Sequence, residues 1–229
     1  MYTFLSGAKL EDDLNVAVPE KNRWKAMTNS DGTRGNSDRK PFIAPFLDLF
    51  PEIEHTVFIA ATAAIMGAVR IGANSSVWHN VTIRGDNNYI LIGENTNIQD
   101  NSCVHIDGRK HPTIIGNDVT IGHSAIIHAC EIGDGGFVGM GAIIMDGAVV
   151  EPGGMLAAGA MLTPGKRIPS GEIWAGRPSK KMRDLSDDEK LFNQKSAEHY
   201  VEVARAHRLG NAGAPFAAHM KTRPLPSRD

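Results

Sequence analysis

The chain has 229 residues, of which 24 are basic and 26 acidic, and its formal net charge is −2. The two signs are mixed along the chain, which excludes the basic patch of a protein that binds nucleic acid or an anionic membrane. No stretch approaches the ~20 apolar residues that span a bilayer, and the N-terminal sequence lacks a signal-peptide pattern. We therefore expect a cytoplasmic protein whose partners are small molecules or copies of itself.

The first 45 residues carry no hydrophobic period and are largely polar. Such a segment buries too little apolar surface to form a core of its own. We predict that residues 1–45 form an N-terminal extension or arm outside the main domain.

A six-residue hydrophobic repeat runs through residues 46–178 and determines the predicted fold. The aliphatic residues of the repeat are Ile59, Ile65, Ile71, Val77, Ile83, Ile92, Ile98, Val104, Ile115, Ile121, Ile127, Ile132, Val138, Ile144, Val150, Leu156, Leu162 and Ile168. The step is six except for nine after Ile83, eleven after Val104 and five after Ile127. A helix would repeat every 3.6 residues, whereas short parallel strands coiled into three-sided turns repeat every six. The spacing predicts an all-β protein, a parallel β-helix of about six coils.

An amphipathic α-helix is predicted after the repeat, within residues 179–210. Ser186 and Glu189 form a capping box, and Gly210 is suited to end the helix. The apolar stripe of this helix consists of Leu191, Ala197, Tyr200, Val201, Ala204 and Ala206. The stripe should pack along the β-helix. Residues 211–229 contain three prolines and are predicted to form a flexible tail.

The spacing also places two histidines side by side on one edge of the β-helix. Ile83, Val104 and Ile127 are separated by one turn of 18 residues plus a short insertion, so they share a column. The residues that follow them are Arg84, His105 and His128. These side chains point outward, and the two imidazoles are separated by roughly the ~4.8 Å between neighbouring strands. Two imidazoles at this spacing can bind one metal ion.

A third histidine, His123, belongs to a different corner. Ile98 and Ile121 are also one turn apart, so Asp100 and His123, each two residues later, share a column. His79 lies in the preceding turn of this column and is a weaker candidate for a hydrogen bond at a subunit interface. A symmetric trimer would bring this corner against an edge of the next subunit. Zinc sites of the catalytic kind have three protein ligands and an open fourth position. We predict a metal site formed by His105 and His128 of one chain and His123 of its neighbour; the alternative is that these are ordinary surface histidines.

Three segments carry a resemblance to a known family. The segments are RGDNN, TNIQDNSCVHID, and IGHSAIIHACEIGD followed by GMGA, and they resemble the γ-class carbonic anhydrases over roughly residues 59–183. The resemblance implies a left-handed β-helix and a homotrimer with a divalent metal at each subunit interface, bound by the three histidines. Zinc is the expected metal, with Fe²⁺ or Co²⁺ as alternatives, because imidazole binds all of these ions.

The same resemblance implies roles for residues around the metal. It implies that Arg84 and Asp100 form an ion pair across the subunit interface and that the carboxylate of Asp86 supports this contact. Gln99 corresponds to the glutamine that orients the hydroxide, and Asn97 to another pocket residue. Tyr200 is a candidate pocket-lining hydroxyl on the predicted helix, although helix packing explains it as well or better.

The implied activity is that of a carbonate dehydratase, the reversible hydration of carbon dioxide to bicarbonate by metal-bound hydroxide. Efficient members of the family remove a proton through acidic residues near the position of Asn87 and in a loop after the first histidine. Beyond Ile106, the corresponding loop here consists of Asp107, Gly108, Arg109, Lys110, His111 and Pro112. The acidic proton shuttle is therefore missing, and we expect slow or buffer-dependent activity, with His111 as a partial substitute.

Two other classes of function stay open. Many hexapeptide-repeat proteins are acyltransferases that use a lone interface histidine as general base, for which three registered histidines are superfluous. A non-catalytic trimeric metal-binding or scaffold protein would bind metal without hydrating carbon dioxide.

Overall fold

The computed structural model describes residues 40–108 and 110–209, and it confirms the left-handed parallel β-helix followed by one α-helix. The strands are β1 (Phe42–Ala44), β2 (Glu52–Ile53), β3 (Phe58–Ile59), β4 (Ala64–Ile71), β5 (Ser76–Val77), β6 (Thr82–Ile92), β7 (Asn97–Ile98), β8 (Cys103–His105), β9 (Thr113–Ile115), β10 (Thr120–Ile121), β11 (Ile126–His128), β12 (Glu131–Ile132), β13 (Phe137–Val138), β14 (Ile143–Ile144), β15 (Val149–Val150), β16 (Met155–Leu156), β17 (Met161–Leu162), β18 (Arg167–Ile168), β19 (Glu172–Ala175) and β20 (Lys180–Asp184). The helix α1 spans Asp187–Leu209.

The strands form three faces of a prism. Face 1 consists of β3, β5, β7, β10, β13, β16 and β19, stacked in parallel. The long strands β4 and β6 turn the corner between the other two faces; β8, β11, β14 and β17 continue from β6 on face 2, and β9, β12, β15 and β18 continue from it on face 3. Seven strands on face 1 make about seven turns, where the spacing predicted about six. The extra turn comes from three positions outside the repeat as counted: Ile43 and Ile53, which precede it and pair with Ile65 and Ile71, and Trp174, which pairs with Leu156 but is not aliphatic.

The aliphatic residues of the repeat form the core. On face 2, Ile65, Ile83, Val104, Ile127 and Ile144 have no solvent exposure (0% each). Burying such a side chain contributes about 1.5–3 kcal/mol relative to leaving it exposed. Since a shift of one residue would turn every buried side chain outward, the core also fixes the register of each turn on the next.

The corners between faces are tight turns with left-handed backbone conformation. Asn80 and Asn101 occupy one such corner in successive turns with φ of 59° and 63°, and the Asn80 side-chain amide donates to Asn101 Oδ1 at 3.1 Å. In the next two turns this corner is formed by Ser124 and Gly141, with φ of 60° and 66°. Asparagine tolerates this conformation better than most residues, and glycine adopts it freely.

The chain between the β-helix and α1 is a strand, which corrects the predicted start of the helical region at residue 179. Strand β20 pairs antiparallel with β19 at the end of the stack. The predicted capping box is confirmed: Glu189 N donates to Ser186 Oγ at 3.3 Å, and Ser186 N donates to Glu189 Oε2 at 2.9 Å. The cap therefore fixes the helix start at Asp187. A bidentate contact from Arg183 is the main cause that lowers the pKa of Glu189 to about 2.

Helix α1 packs on face 1 through its small and aromatic residues. Ala197 and Ala204 are buried, and the Tyr200 and His207 rings lie 5.6 and 5.2 Å from the Trp78 ring. Leu191, predicted to belong to the apolar stripe, is exposed (46%) because the packed face is centred on Ala197 and Ala204 instead. Within the described ranges, no helix is both long and apolar enough to cross a membrane.

The two ends of the chain extend past the part that the structure describes. Residues 1–39, most of the predicted arm, and residues 210–229, with the predicted helix stop Gly210 and the predicted tail, lie outside the described residues. The end of the arm at residue 45 is corrected, because Phe42–Ala44 form strand β1 and pair with β4, with Ile43 beside Ile65.

The substitution Gly72→Ala tests how closely the turns stack on face 3. A Cβ at Gly72 would lie 2.7 Å from the carbonyl carbon of Gly93, a backbone atom that cannot move aside. We expect Gly72→Ala to lower the free energy of unfolding by about 1–3 kcal/mol in urea titrations, because it overpacks the interior.

Gly135→Asn is the matched control at a neighbouring corner. A Cβ at Gly135 meets no atom within 4 Å, and Asp118 already holds the same corner of the preceding turn with φ of 55°. This variant should stay within about 0.5 kcal/mol of wild type. Equal destabilisation by both variants would contradict the stacking argument.

Candidate metal centre

Strands β8 and β11 bring His105 and His128 together on face 2. The two residues are direct partners in the parallel register, as the spacing predicted. Their rings are 5.2 Å apart, and His105 Nδ1 lies 3.2 Å from His128 Nε2. Both side chains are partly exposed, so the pair opens onto the surface of the β-helix.

The remaining nitrogen of each ring faces a carboxylate. His105 Nε2 lies 3.3 Å from Asp86 Oδ1, and His128 Nδ1 lies 2.5 Å from Asp146 Oδ1. Asp86 also pairs with the guanidinium of Arg84. Asp146 was absent from the sequence-based set. The signal that could have found it is its position two residues after Ile144, which pairs with Ile127 one turn before.

These contacts favour one tautomer for each ring. A carboxylate only accepts hydrogen bonds, so we assign the ring protons to His105 Nε2 and His128 Nδ1. The lone pairs of His105 Nδ1 and His128 Nε2 then face each other at 3.2 Å. Two ligands at ~2.0–2.1 Å from a tetrahedral ion are about 3.3–3.4 Å apart. The donor set and its spacing therefore fit a divalent cation between the two nitrogens.

The local charges favour the protonation states that bind metal. Burial and the positive charge of Arg84 lower the pKa of His105, although Asp86 opposes this shift, so the ring stays neutral over a wider pH range. Burial works against ionisation of Asp86, but the hydrogen bond and positive charge of Arg84, together with the hydrogen bond to His105, outweigh it and lower the pKa of that carboxyl. A neutral imidazole beside an ionised carboxylate is the form that coordinates metal.

His123 lies at a separate corner of face 1. Its Nδ1 is 3.0 Å from Asp100 Oδ2, while Asp100 Oδ1 accepts from the backbone N–H of His79 at 3.3 Å. The His79 ring in turn contacts Thr62 Oγ1 at 3.1 Å. Within the described part of a single chain, no group of three or more histidine, cysteine or acidic side chains converges on one point. The fold therefore separates His123 from the His105–His128 pair.

The ion pair between Arg84 and Asp100 was predicted across the subunit interface and stays a prediction. In a single chain Arg84 pairs with Asp86, and Asp100 pairs with His123. Because Arg84 lies on face 2 and Asp100 at the corner of face 1, a contact between them requires a second copy of the chain.

Gln99 and Asn97 belong to a buried hydrogen-bond network beneath helix α1. Gln99 Nε2 donates to Asn97 Oδ1 at 3.0 Å, and Asn97 Nδ2 donates to Thr120 Oγ1 at 2.9 Å. Thr120 Oγ1 donates to Ser196 Oγ of the helix at 3.3 Å. Both amide side chains point outward from the β-helix as predicted, yet they expose only 6% and 1% of their surface, because α1 covers this part of face 1.

Tyr200 takes part in the packing of the helix, and its hydroxyl is also influenced by the charge of Asp100, which lies at the corner with His123. Its ring packs edge-on against Trp78. Burial raises the pKa of the Tyr200 hydroxyl, with a smaller contribution from the negative charge of Asp100. The helix thus places this hydroxyl on the same side of the prism as Asp100.

The sequence is similar to that of proteins named as carbonic anhydrases. The chain is 48% identical over 170 residues to "Gamma carbonic anhydrase 1, mitochondrial" of Arabidopsis thaliana, covering 72% of this chain and 62% of that protein. It therefore spans less than two thirds of the length of that relative. It is 51% identical over 152 residues to "Probable carbonic anhydrase" of Methanocaldococcus jannaschii, covering 66% of this chain and 95% of that one.

A solved structure has the same fold. The hexapeptide transferase family protein from Anaplasma phagocytophilum matches with a TM-score of 0.70 and 50% identity, over 72% of this chain and 98% of that one. No protein-family model matches the chain.

Because the pKa of His105 is lowered in the folded chain, the stability of the metal-free protein should depend on pH. As pH falls below the ordinary histidine value of 6.5, the unfolded chain takes up a proton at this residue before the folded chain does. The free energy of unfolding should therefore decrease between pH 7.5 and 5.5, and decrease less in His105→Asn. Urea unfolding at both pH values measures this difference. His55→Asn, at an exposed histidine, should keep the wild-type pH dependence; an unchanged dependence in His105→Asn would contradict the assignment.

Proposed function

Since this chain belongs to the γ-class carbonic anhydrase-like family of hexapeptide-repeat proteins, we propose that it is a metal-dependent carbonate dehydratase that interconverts carbon dioxide and bicarbonate. The observation that carries the proposal is the His105–His128 pair, in which His105 Nδ1 and His128 Nε2 lie 3.2 Å apart while the other nitrogen of each ring faces a carboxylate. With both ring protons towards the carboxylates, the two facing lone pairs would repel each other unless a cation lay between them.

The third ligand is proposed to be His123 of a neighbouring subunit. His123 directs Nδ1 at Asp100, which leaves its Nε2 as the donor, the same arrangement that His128 has with its own carboxylate. The described residues of one chain supply no third donor at the pair. A closed trimer would form three identical sites by placing the face 1 corner of each copy against face 2 of the next.

The metal is proposed to be zinc, with Fe²⁺ or Co²⁺ as alternatives, because imidazole nitrogens bind all three. When bound, a divalent cation acts as a Lewis acid and lowers the pKa of a coordinated water towards about 7. The contributions of the protein are the three imidazoles and the carboxylates of Asp86, Asp100 and Asp146 that contact them.

Gln99 is proposed to orient the attacking oxygen. Its Nε2 is committed to Asn97 Oδ1, and Asn97 is held by Thr120, so the amide of Gln99 cannot flip without breaking this network. The free Oε1 of Gln99 is then available to accept an O–H at the site. Asn97 acts on the reaction through Gln99, and the position of Tyr200 is accounted for by its packing on Trp78.

Proton removal is the step for which this chain is poorly equipped. Asn87 is exposed, and a Cβ at Gly108 would lie 3.4 Å from Asn87 Cβ, so the strand and loop positions that carry acidic residues in efficient members of the family meet here without a carboxylate. His111 is exposed near Gly147, next to Asp146, and stays a candidate for partial substitution. This deficit is also what favours the second candidate function, a non-catalytic trimeric metal-binding protein.

The partners proposed for the chain are two further copies of itself and carbon dioxide or bicarbonate. The cytoplasmic location and the lack of nucleic-acid and membrane partners stay predictions of the sequence.

Metal content and carbon dioxide hydration measured on the same sample test the proposal. We expect about one divalent metal per chain and hydration above the uncatalysed rate in wild type, and loss of both in His105→Ala. His55→Ala, at an exposed histidine outside the site, should keep both. Wild-type protein with metal but without hydration at any buffer concentration would instead support the non-catalytic candidate.

The missing shuttle predicts strong dependence on buffer. In stopped-flow hydration, the wild-type rate should rise several-fold with imidazole concentration, because an external base replaces the absent carboxylate. Asn87→Glu should raise the rate in dilute buffer and have little effect in concentrated imidazole. A high wild-type rate that is independent of buffer would show that the chain has an internal proton acceptor.

A further inference from the structure

We propose that Asp146 is a positioning residue for the metal centre, which fixes the tautomer and orientation of His128 and thereby strengthens metal binding. This inference rests on the proposed metal site and deepens it. Asp146 acts through His128, since its carboxylate contacts the imidazole nitrogen that faces away from the donor pair.

The backbone around Asp146 is held on both sides by neighbouring turns. Asp146 O accepts from Gly165 N at 3.0 Å in the following turn, and Gly147 N donates to Ala129 O at 2.7 Å in the preceding one. The Asp146 side chain therefore starts from a fixed point beside the residue that follows His128. Its Oδ1 reaches His128 Nδ1 at 2.5 Å, the shortest of the carboxylate contacts made by the three histidines.

This contact has two chemical consequences. Because an ionised carboxylate accepts the Nδ1 proton, it selects the tautomer in which Nε2 carries the lone pair towards His105. The negative charge on the far side of the ring also raises the basicity of Nε2, which strengthens it as a metal ligand.

The two carboxylates behind the histidine pair differ in their own partners. Asp86 shares its charge with Arg84. Among residues 40–108 and 110–209, the Asp146 carboxylate makes no ion pair with a lysine or arginine and contacts the His128 ring. No cation of these residues competes with His128 for this carboxylate, and we therefore expect metal affinity to depend on it.

Asp146→Asn tests the inference, because it keeps the shape of the side chain and removes the negative charge. We expect the dissociation constant for Zn²⁺ and for Co²⁺, measured on the full chain by competition with a chromophoric chelator, to rise by about 10–100-fold. The visible spectrum of bound Co²⁺ should change as well. Thermal unfolding of the metal-free protein should change little, since the carboxylate is substantially exposed.

Asp107→Asn is the control for charge alone. Asp107 lies two residues after His105, and its carboxylate makes no hydrogen bond or ion pair in the described ranges. This variant should keep the wild-type dissociation constant within about threefold. An Asp146→Asn affinity within threefold of wild type, or an equal loss in Asp107→Asn, would overturn the role of Asp146.

The metal measurement separates this inference from the proposed activity. Wild type that binds Zn²⁺ without hydrating carbon dioxide would refute the activity and leave the Asp146 test valid. Hydration by wild type, together with unchanged metal affinity in Asp146→Asn, would refute the inference alone.

Discussion

The in-register stacking of parallel turns is the constraint on which the rest of this structure depends. Each turn bonds to the next through its backbone, and the buried aliphatic columns prevent a shift of even one residue. For this reason His105 lies beside His128, although 23 residues separate them in the sequence. The position of each outward side chain is therefore fixed by the buried core residue next to it in the strand.

The same constraint divides the candidate site between two faces of the prism. His105 and His128 follow core residues of face 2, whereas His123 follows a core residue of face 1. A rigid β-helix cannot bend one face towards another. If the three imidazoles bind one metal ion, as proposed, they can do so only between copies of the chain, and metal binding would then depend on assembly. Each of the three histidines already contacts a carboxylate within its own chain.

The sequence predicted those parts of the molecule that follow from spacing. The columns through Ile83, Val104 and Ile127, the pairing of His105 with His128 and the capping box before α1 all result from fixed distances along the chain.

The parts that spacing missed depend on side-chain direction and on long-range packing. Spacing places Asp146 one turn from the neighbourhood of His128, but the direction in which its carboxylate turns is not contained in a count of Cα positions. The seventh turn was missed because Trp174 is not aliphatic and because Ile43 and Ile53 precede the first residue of the counted repeat. The cover over Gln99 and Asn97 arises because α1 folds back onto face 1, where Thr120 contacts Ser196, 76 residues later in the sequence.

The most direct test of the account is complementation between two inactive variants. His105→Ala removes one half-site and His123→Ala removes the other, so neither variant alone should bind metal. When the two variants are unfolded and refolded together, each mixed trimer should regain one intact interface and bind one metal ion. Metal uptake by the mixture would establish a site shared between subunits; a mixture that forms trimers yet binds no more metal than the separate variants would contradict it.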